Sequence, residues 1–94
     1  MSAPDFSDNA AASRYELRID GELIGTADYA LRGDVVAITR VYTRPTHRNQ
    51  GLAFRTTEYA VGRIIADGHR ILPMCWVAEK YLDSHPELAA HVAR

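Results

Sequence analysis

Hydrophobic and polar positions alternate strictly from Arg14 to Asp20. Tyr15, Leu17 and Ile19 fall on one face, and Arg14, Glu16, Arg18 and Asp20 on the other. A period of two marks a half-buried strand. Asp20-Gly21 follows as a tight-turn pair whose glycine accepts positive φ. A second strand is expected from Glu22 to Leu31, with Leu23, Gly25, Ala27, Tyr29 and Leu31 facing inward. Arg32-Gly33-Asp34 turns the chain again. Val35 to Thr43 is β-branched and apolar with little early alternation, the composition of a central strand covered on both faces. Pro45 ends it, because proline cannot donate to a ladder.

Between Gly51 and Asp67 the period changes to 3.6. Ala53/Phe54, Thr57, Ala60/Val61 and Ile64/Ile65 form an apolar stripe, so an amphipathic helix is expected to lie on the sheet. Asp67-Gly68 supplies the stop. His69 to Met74 reads as a fourth strand. Its Pro73 is unsuited to a fully paired position, so this strand is expected to pair on one side only or to splay from its neighbour. Trp76 to Asp83 reads as a short helix, and Ser84 with Glu87 has capping-box spacing for a last helical turn through Val92. Met1 to Ser13 lacks periodicity and reads as a disordered tail, leaving residues 14–94 as a single domain. The expected fold class is α+β: a three-stranded antiparallel β-meander, a long helix packed on the sheet, a fourth strand splayed from the third, and short C-terminal helices.

Composition narrows the function. The 94 residues balance 11 Lys+Arg against 12 Asp+Glu, and the cations are spread along the chain, which argues against non-specific nucleic-acid binding. Cys75 is the sole cysteine, so neither an internal disulfide nor a cysteine-based zinc site can form. His47, His69, His85 and His91 show no metal-ligand spacing, and no metal is expected. No apolar run approaches the ~18–20 residues that cross a bilayer, and the amino terminus has no basic start. No membrane partner is expected, no signal peptide is read, and the expected location is cytoplasmic.

The candidate chemistry lies between Val41 and Ala53, where a strand runs through a short basic loop into a helix. A helix start offers unpaired N–H groups and a partial positive charge, and small residues at Gly51 and Ala53 let a pyrophosphate come close. Arg44, Arg48 and Arg55 can add charge-assisted hydrogen bonds. From spacing alone, an ordinary loop with arginines facing water fits equally well.

Arg48-Asn49-Gln50-Gly51-Leu52-Ala53 resembles the acetyl-CoA pyrophosphate loop, R/Q-x-x-G-x-G/A, of GCN5-related N-acetyltransferases. With Pro73-Met74-Cys75-Trp76-Val77, Lys80-Tyr81 and His85-Pro86, the chain is similar to the small, truncated branch that includes plant and vertebrate mini-acetyltransferases. The resemblance implies acetyl-CoA as co-substrate, with Arg48, Asn49, Gln50, Gly51, Leu52 and Ala53 at the pyrophosphate. Backbone groups of Val41, Tyr42 and Thr43 would pair with the pantetheine arm like an added strand, and Pro73 stands where the strands must diverge. Most members carry glycine in place of Asn49, but asparagine tolerates positive φ.

The resemblance also bears on catalysis. Cys75, ahead of a helix whose dipole favours thiolate and beside Trp76 as a shield, either receives the acetyl group, lines the thioester pocket, or is a small buried hydrophobe. Tyr81 is either the general acid for the departing CoA thiolate or a ring packed under its helix. Arg40, expected to share a face with Ile38 and Tyr42, either meets an acidic acceptor or faces solvent. The implied activity is acetyl-CoA-dependent N-acetylation of a primary amine, on a protein or peptide for example, by direct attack or through an acetyl-cysteine. The alternative is a non-catalytic acyl-CoA-binding or interaction module. Helices that wall the acceptor site in longer relatives are not expected, so that site is open or is completed by a second subunit, in a monomer or weak homodimer.

Overall fold

The computed structural model of the chain describes residues 3–93. Backbone hydrogen bonds link five strands in the order the chain makes them: β1 (Asp5–Asn9), β2 (Arg14–Ile19), β3 (Glu22–Arg32), β4 (Val35–Thr43) and β5 (Arg70–Pro73). The first four are antiparallel neighbours. β5 lies parallel to β4, because α1 (Leu52–Ala66) carries the chain back across the sheet between them. α2 (Trp76–Asp83) follows β5, and a 3-10 segment covers Pro86–His91. The fold is α+β with a mixed sheet. The β2–β3 turn is as the sequence requires, since Asp20 and Gly21 both take positive φ (54° and 78°), as a type I′ hairpin turn demands.

The expectation of a disordered tail over residues 1–13 is overturned for the described part; Met1 and Ser2 lie outside the described residues. Asp5–Asn9 pairs with β2 along its length. Three anchors hold it. Phe6 stacks on Tyr59 of α1 with ring centroids 5.3 Å apart, Asp8 accepts a hydrogen bond from the Tyr29 hydroxyl, and the Asn9 amide donates to Glu16. Glu16 also takes bonds from Arg14 and Arg18. These partners let a carboxylate stand with its residue only 3% exposed on the sheet face away from the helices. The donors, Asn9 first and then Arg14, hold it down at a pKa of about 2.

Two β-bulges revise the facing read from simple alternation. Leu17 opposes Gly25 and Arg18 opposes Leu23, so Ile24 is the extra residue of β3 and turns into the core in place of Leu23. Leu31, expected inside, is 56% exposed at the far end of that strand. On β4, Asp28 opposes Arg40 and Tyr29 opposes Ile38, so Thr39 is extra. Ile38 and Val41 therefore pack into the same core although they are three positions apart. Arg40 consequently does not share a face with Ile38. Its guanidinium lies over the Tyr42 ring, 5.0 Å from the centroid.

α1 buries Leu52, Thr56, Thr57, Ala60, Val61 and Ile64 against the sheet. Its end is a Schellman motif: His69 donates to the Ile64 carbonyl and Gly68, at φ +81°, donates to Ile65. The expected cap at Ser84 is not formed. Its hydroxyl donates back to the Lys80 carbonyl at the end of α2, and Pro86 makes His85 the residue that opens the 3-10 segment. Val92 then bridges to Ile71 on the free side of β5.

Candidate functional site

The loop between β4 and α1 is shaped by two positive-φ residues, Asn49 at 64° and Gly51 at 74°. Asparagine is tolerated there, and glycine carries no strain. The first helical bond of α1 runs from Arg55 N–H to the Gly51 carbonyl at 3.2 Å. The amides of Leu52, Ala53 and Phe54 therefore have no intrahelical acceptor. They open onto a cavity of about 450 Å³. It is lined by Val41, Tyr42 and Thr43 of β4, His47, Arg48, Asn49 and Gly51 of the loop, Leu52, Ala53 and Phe54 of α1, and Trp76 and Val77 of α2. Every residue expected at the cofactor site lines it except Gln50. A Cβ built on Gly51 meets nothing within 4 Å, so the space above that backbone is free for a ligand.

The second wall is an open strand edge. Pairing between β4 and β5 ends at Ile38 opposite Pro73, where Met74 N–H donates to the Ile38 carbonyl at 2.9 Å before the chain turns into α2. Beyond that point β4 runs on to Thr43 without β5 beside it. Arg44 N–H donates to Ile24 across the β3 side at 2.8 Å. Antiparallel alternation then directs the N–H and C=O of Val41 and Thr43 the other way, toward the gap. Arg48 reaches into the gap, its Nε donating to the Thr43 carbonyl at 3.1 Å and its guanidinium standing 6.0 Å from the Tyr42 ring centroid. The Thr43 hydroxyl is the buried side-chain polar atom without a partner among the described residues.

The expected catalytic groups stand behind this cavity. Cys75 is half-buried, precedes α2 in an extended conformation, and packs on the main core; its neighbours Trp76 and Val77 line the cavity. Trp76 is 72% exposed and lines the cavity. Tyr81 is buried under α2, stacked on His85 at 4.1 Å and edge-on to Phe54 at 5.9 Å. Burial, with the carboxylates of Glu58 and Glu87, pushes its hydroxyl pKa up, so it stays protonated at neutral pH. His47 lines the cavity with its Nδ1 2.9 Å from the Thr46 hydroxyl. Phe54 and Val77 also line the cavity and carry no site role in the sequence analysis; the signal for Phe54 is its place in the first turn of α1, three residues past Gly51. Among the described residues no group of three His, Cys, Asp or Glu is placed to hold a metal, and no helix is long and apolar enough to cross a membrane.

Comparison with known proteins bears on this arrangement. A sequence model described as GCN5-related N-acetyl-transferase matches residues 14–92. A search of curated proteins finds no match. Among solved structures, the chain is similar to the aminoglycoside N-acetyltransferase AAC(6')-Iy in complex with CoA, with a TM-score of 0.54 and 18% identity over 86% of this chain. The chain spans 59% of the length of that enzyme. That likeness is one of fold, whereas the family match covers most of the sequence: the chain belongs to the GCN5-related N-acetyltransferase family.

Proposed function

We propose that the chain is an acetyl-CoA-dependent N-acetyltransferase acting on a primary amine. One observation carries the reading: the unpaired amides that open α1 and the unpaired edge of β4 line the same cavity. The first suits a diphosphate and the second suits an extended amide-bearing arm. Coenzyme A carries both, in that order. The residues fit it: Gly51 leaves open space where a phosphate approaches, and Arg48 stands within the cavity wall to add charge-assisted bonds.

Acetyl-CoA supplies an acetyl group already activated as a thioester. The chain's own part is to orient and to move protons. The Leu52, Ala53 and Phe54 amides hold the diphosphate end, and the Val41 and Thr43 backbone groups fix the arm. Most of the acceleration then comes from placing the amine against the acyl carbon. Tyr81, protonated at neutral pH, is the proton donor in this reading; its ring packs edge-on against Phe54, which lines the cavity. The position of Cys75 against the core supports direct attack by the amine over a route through the thiol. Exposed Trp76 lines the cavity, which suits an amine on a peptide or protein.

A thermal-shift titration with acetyl-CoA, CoA and ATP tests the reading. Stabilisation by the first two, about 2.7 kcal/mol at 100 times Kd, with a weaker response to ATP, which has phosphates but no arm, supports an arm-specific site. Equal response to all three contradicts it. Mass spectrometry after incubation with acetyl-CoA and a panel of amines separates the alternatives: an acetylated amine supports transfer, and an unchanged thioester beside tight binding indicates a non-catalytic module. Transfer that persists in Cys75→Ala supports direct attack.

A further inference from the structure

Thr43 is a buried residue, 8% exposed, whose hydroxyl has no partner among the described residues. Buried hydroxyls are satisfied as a rule, because an unpaired one loses its hydration for nothing. Its neighbours across the core obey the rule: Thr56 donates to the Leu52 carbonyl and Thr57 to the Ala53 carbonyl, each at 2.8 Å and one helical turn back. A strand offers Thr43 no such carbonyl. Valine would fill the same volume without the penalty. The hydroxyl therefore lacks a reason within the free chain, and it belongs to a residue that lines the cavity at the open edge.

A second observation concerns the same residue. The Thr43 carbonyl, one of the edge groups facing the gap, is taken by Arg48 Nε at 3.1 Å. Arg48 thus occupies the edge where an added strand would bond. Its charge has no ion-pair partner within 4 Å among the described residues. It sits four residues before the free amides of α1. A diphosphate at those amides attracts the guanidinium more strongly than a neutral carbonyl does.

We propose that Thr43 and Arg48 form an exchange pair: Arg48 holds the Thr43 carbonyl at the open edge in the free chain, and on binding it turns to the diphosphate and leaves that carbonyl to the pantetheine arm, to which the unpartnered Thr43 hydroxyl also bonds. This makes Thr43 a residue that selects for the arm, and it rests on the reading of the cavity as a CoA site.

The test uses Thr43→Val and Thr43→Ser, with calorimetric titration of CoA and of adenosine 5′-diphosphate, which has the diphosphate and no arm. Thr43→Val is expected to leave the free chain as stable as wild type or more so, to weaken CoA about tenfold, and to leave the diphosphate nucleotide unchanged. Thr43→Ser keeps the hydroxyl and is expected to bind CoA within threefold of wild type. Equal CoA affinity in Thr43→Val overturns the proposal, as does a free Thr43→Val chain less stable than Thr43→Ser, which would reveal an internal partner. An equal loss for both ligands overturns the assignment to the arm. A wild-type chain that binds neither ligand removes the CoA reading itself and this proposal with it.

Discussion

Ile38 and Val41 stand three residues apart on β4 and pack into one core, because the strand carries an extra residue at Thr39. On a regular strand an odd spacing would put them on opposite faces. The bulge restores the facing, so Val41 packs on the helix side while Arg40 lies against Tyr42. Inserting one alanine between Arg40 and Val41 is expected to turn Val41 and Thr43 outward, whereas deleting Thr39 straightens the strand and keeps them inward. The stability lost on insertion is about 3 kcal/mol, read from the urea midpoint, and stabilisation by CoA is lost with it. An insertion variant as stable as wild type would show that β4 accepts either register.

Gly51 separates folding from binding. At φ +74° an alanine is strained but meets no atom within 4 Å. Gly51→Ala is expected to lower stability by about 1 kcal/mol. CoA affinity should fall at least tenfold, since the new methyl stands where a phosphate approaches the backbone. Calorimetry that finds unchanged affinity would place the ligand elsewhere.

Glu16 ties β1 to β2 through Asn9, Arg14 and Arg18. Its folded pKa of about 2 lies below its ordinary 4.5. The carboxylate therefore contributes stability that is fully present above pH ~4.5 and is lost as pH falls toward 2. Glu16→Gln is expected to cost about 1–3 kcal/mol at pH 7 and to flatten the acid limb of a stability-against-pH curve. A mutant curve parallel to that of wild type between pH 4.5 and 2 would show that Glu16 is not the group responsible.

Phe6→Ala removes the ring stacked on Tyr59. The expected loss is about 1–2 kcal/mol, with faster hydrogen exchange confined to β1 and unchanged CoA affinity. Exchange that rises equally over α1 would mean that the strand and helix unfold together.

Tyr81→Phe keeps the buried ring and deletes the hydroxyl. Turnover is expected to fall at least tenfold with CoA affinity unchanged. A rate within threefold of wild type assigns Tyr81 to packing against Phe54 and His85.

Much of the fold is legible in the sequence where one local signal decides it. Alternation in β2, the Asp20-Gly21 turn, the 3.6 period of α1 and the Gly68 stop each depend on neighbours along the chain. The loop was legible for the same reason, since Arg48 to Ala53 lies between a strand and a helix. β1 was not, because its place depends on Phe6 meeting Tyr59, 53 residues away. The bulges at Ile24 and Thr39 were missed as well, since β-branched residues suit either face and only pairing reveals the extra residue. Ser84 misleads because its hydroxyl can accept from a helix-start N–H or donate one turn back, and here it donates to the Lys80 carbonyl.

Amide chemical shifts on addition of CoA decide whether one cavity joins the helix start to the strand edge. The expected result is that the N–H signals of Leu52, Ala53 and Phe54 move together with those of Val41 and Thr43, saturating at one ligand concentration. CoA that binds while these five amides stay unmoved would contradict it.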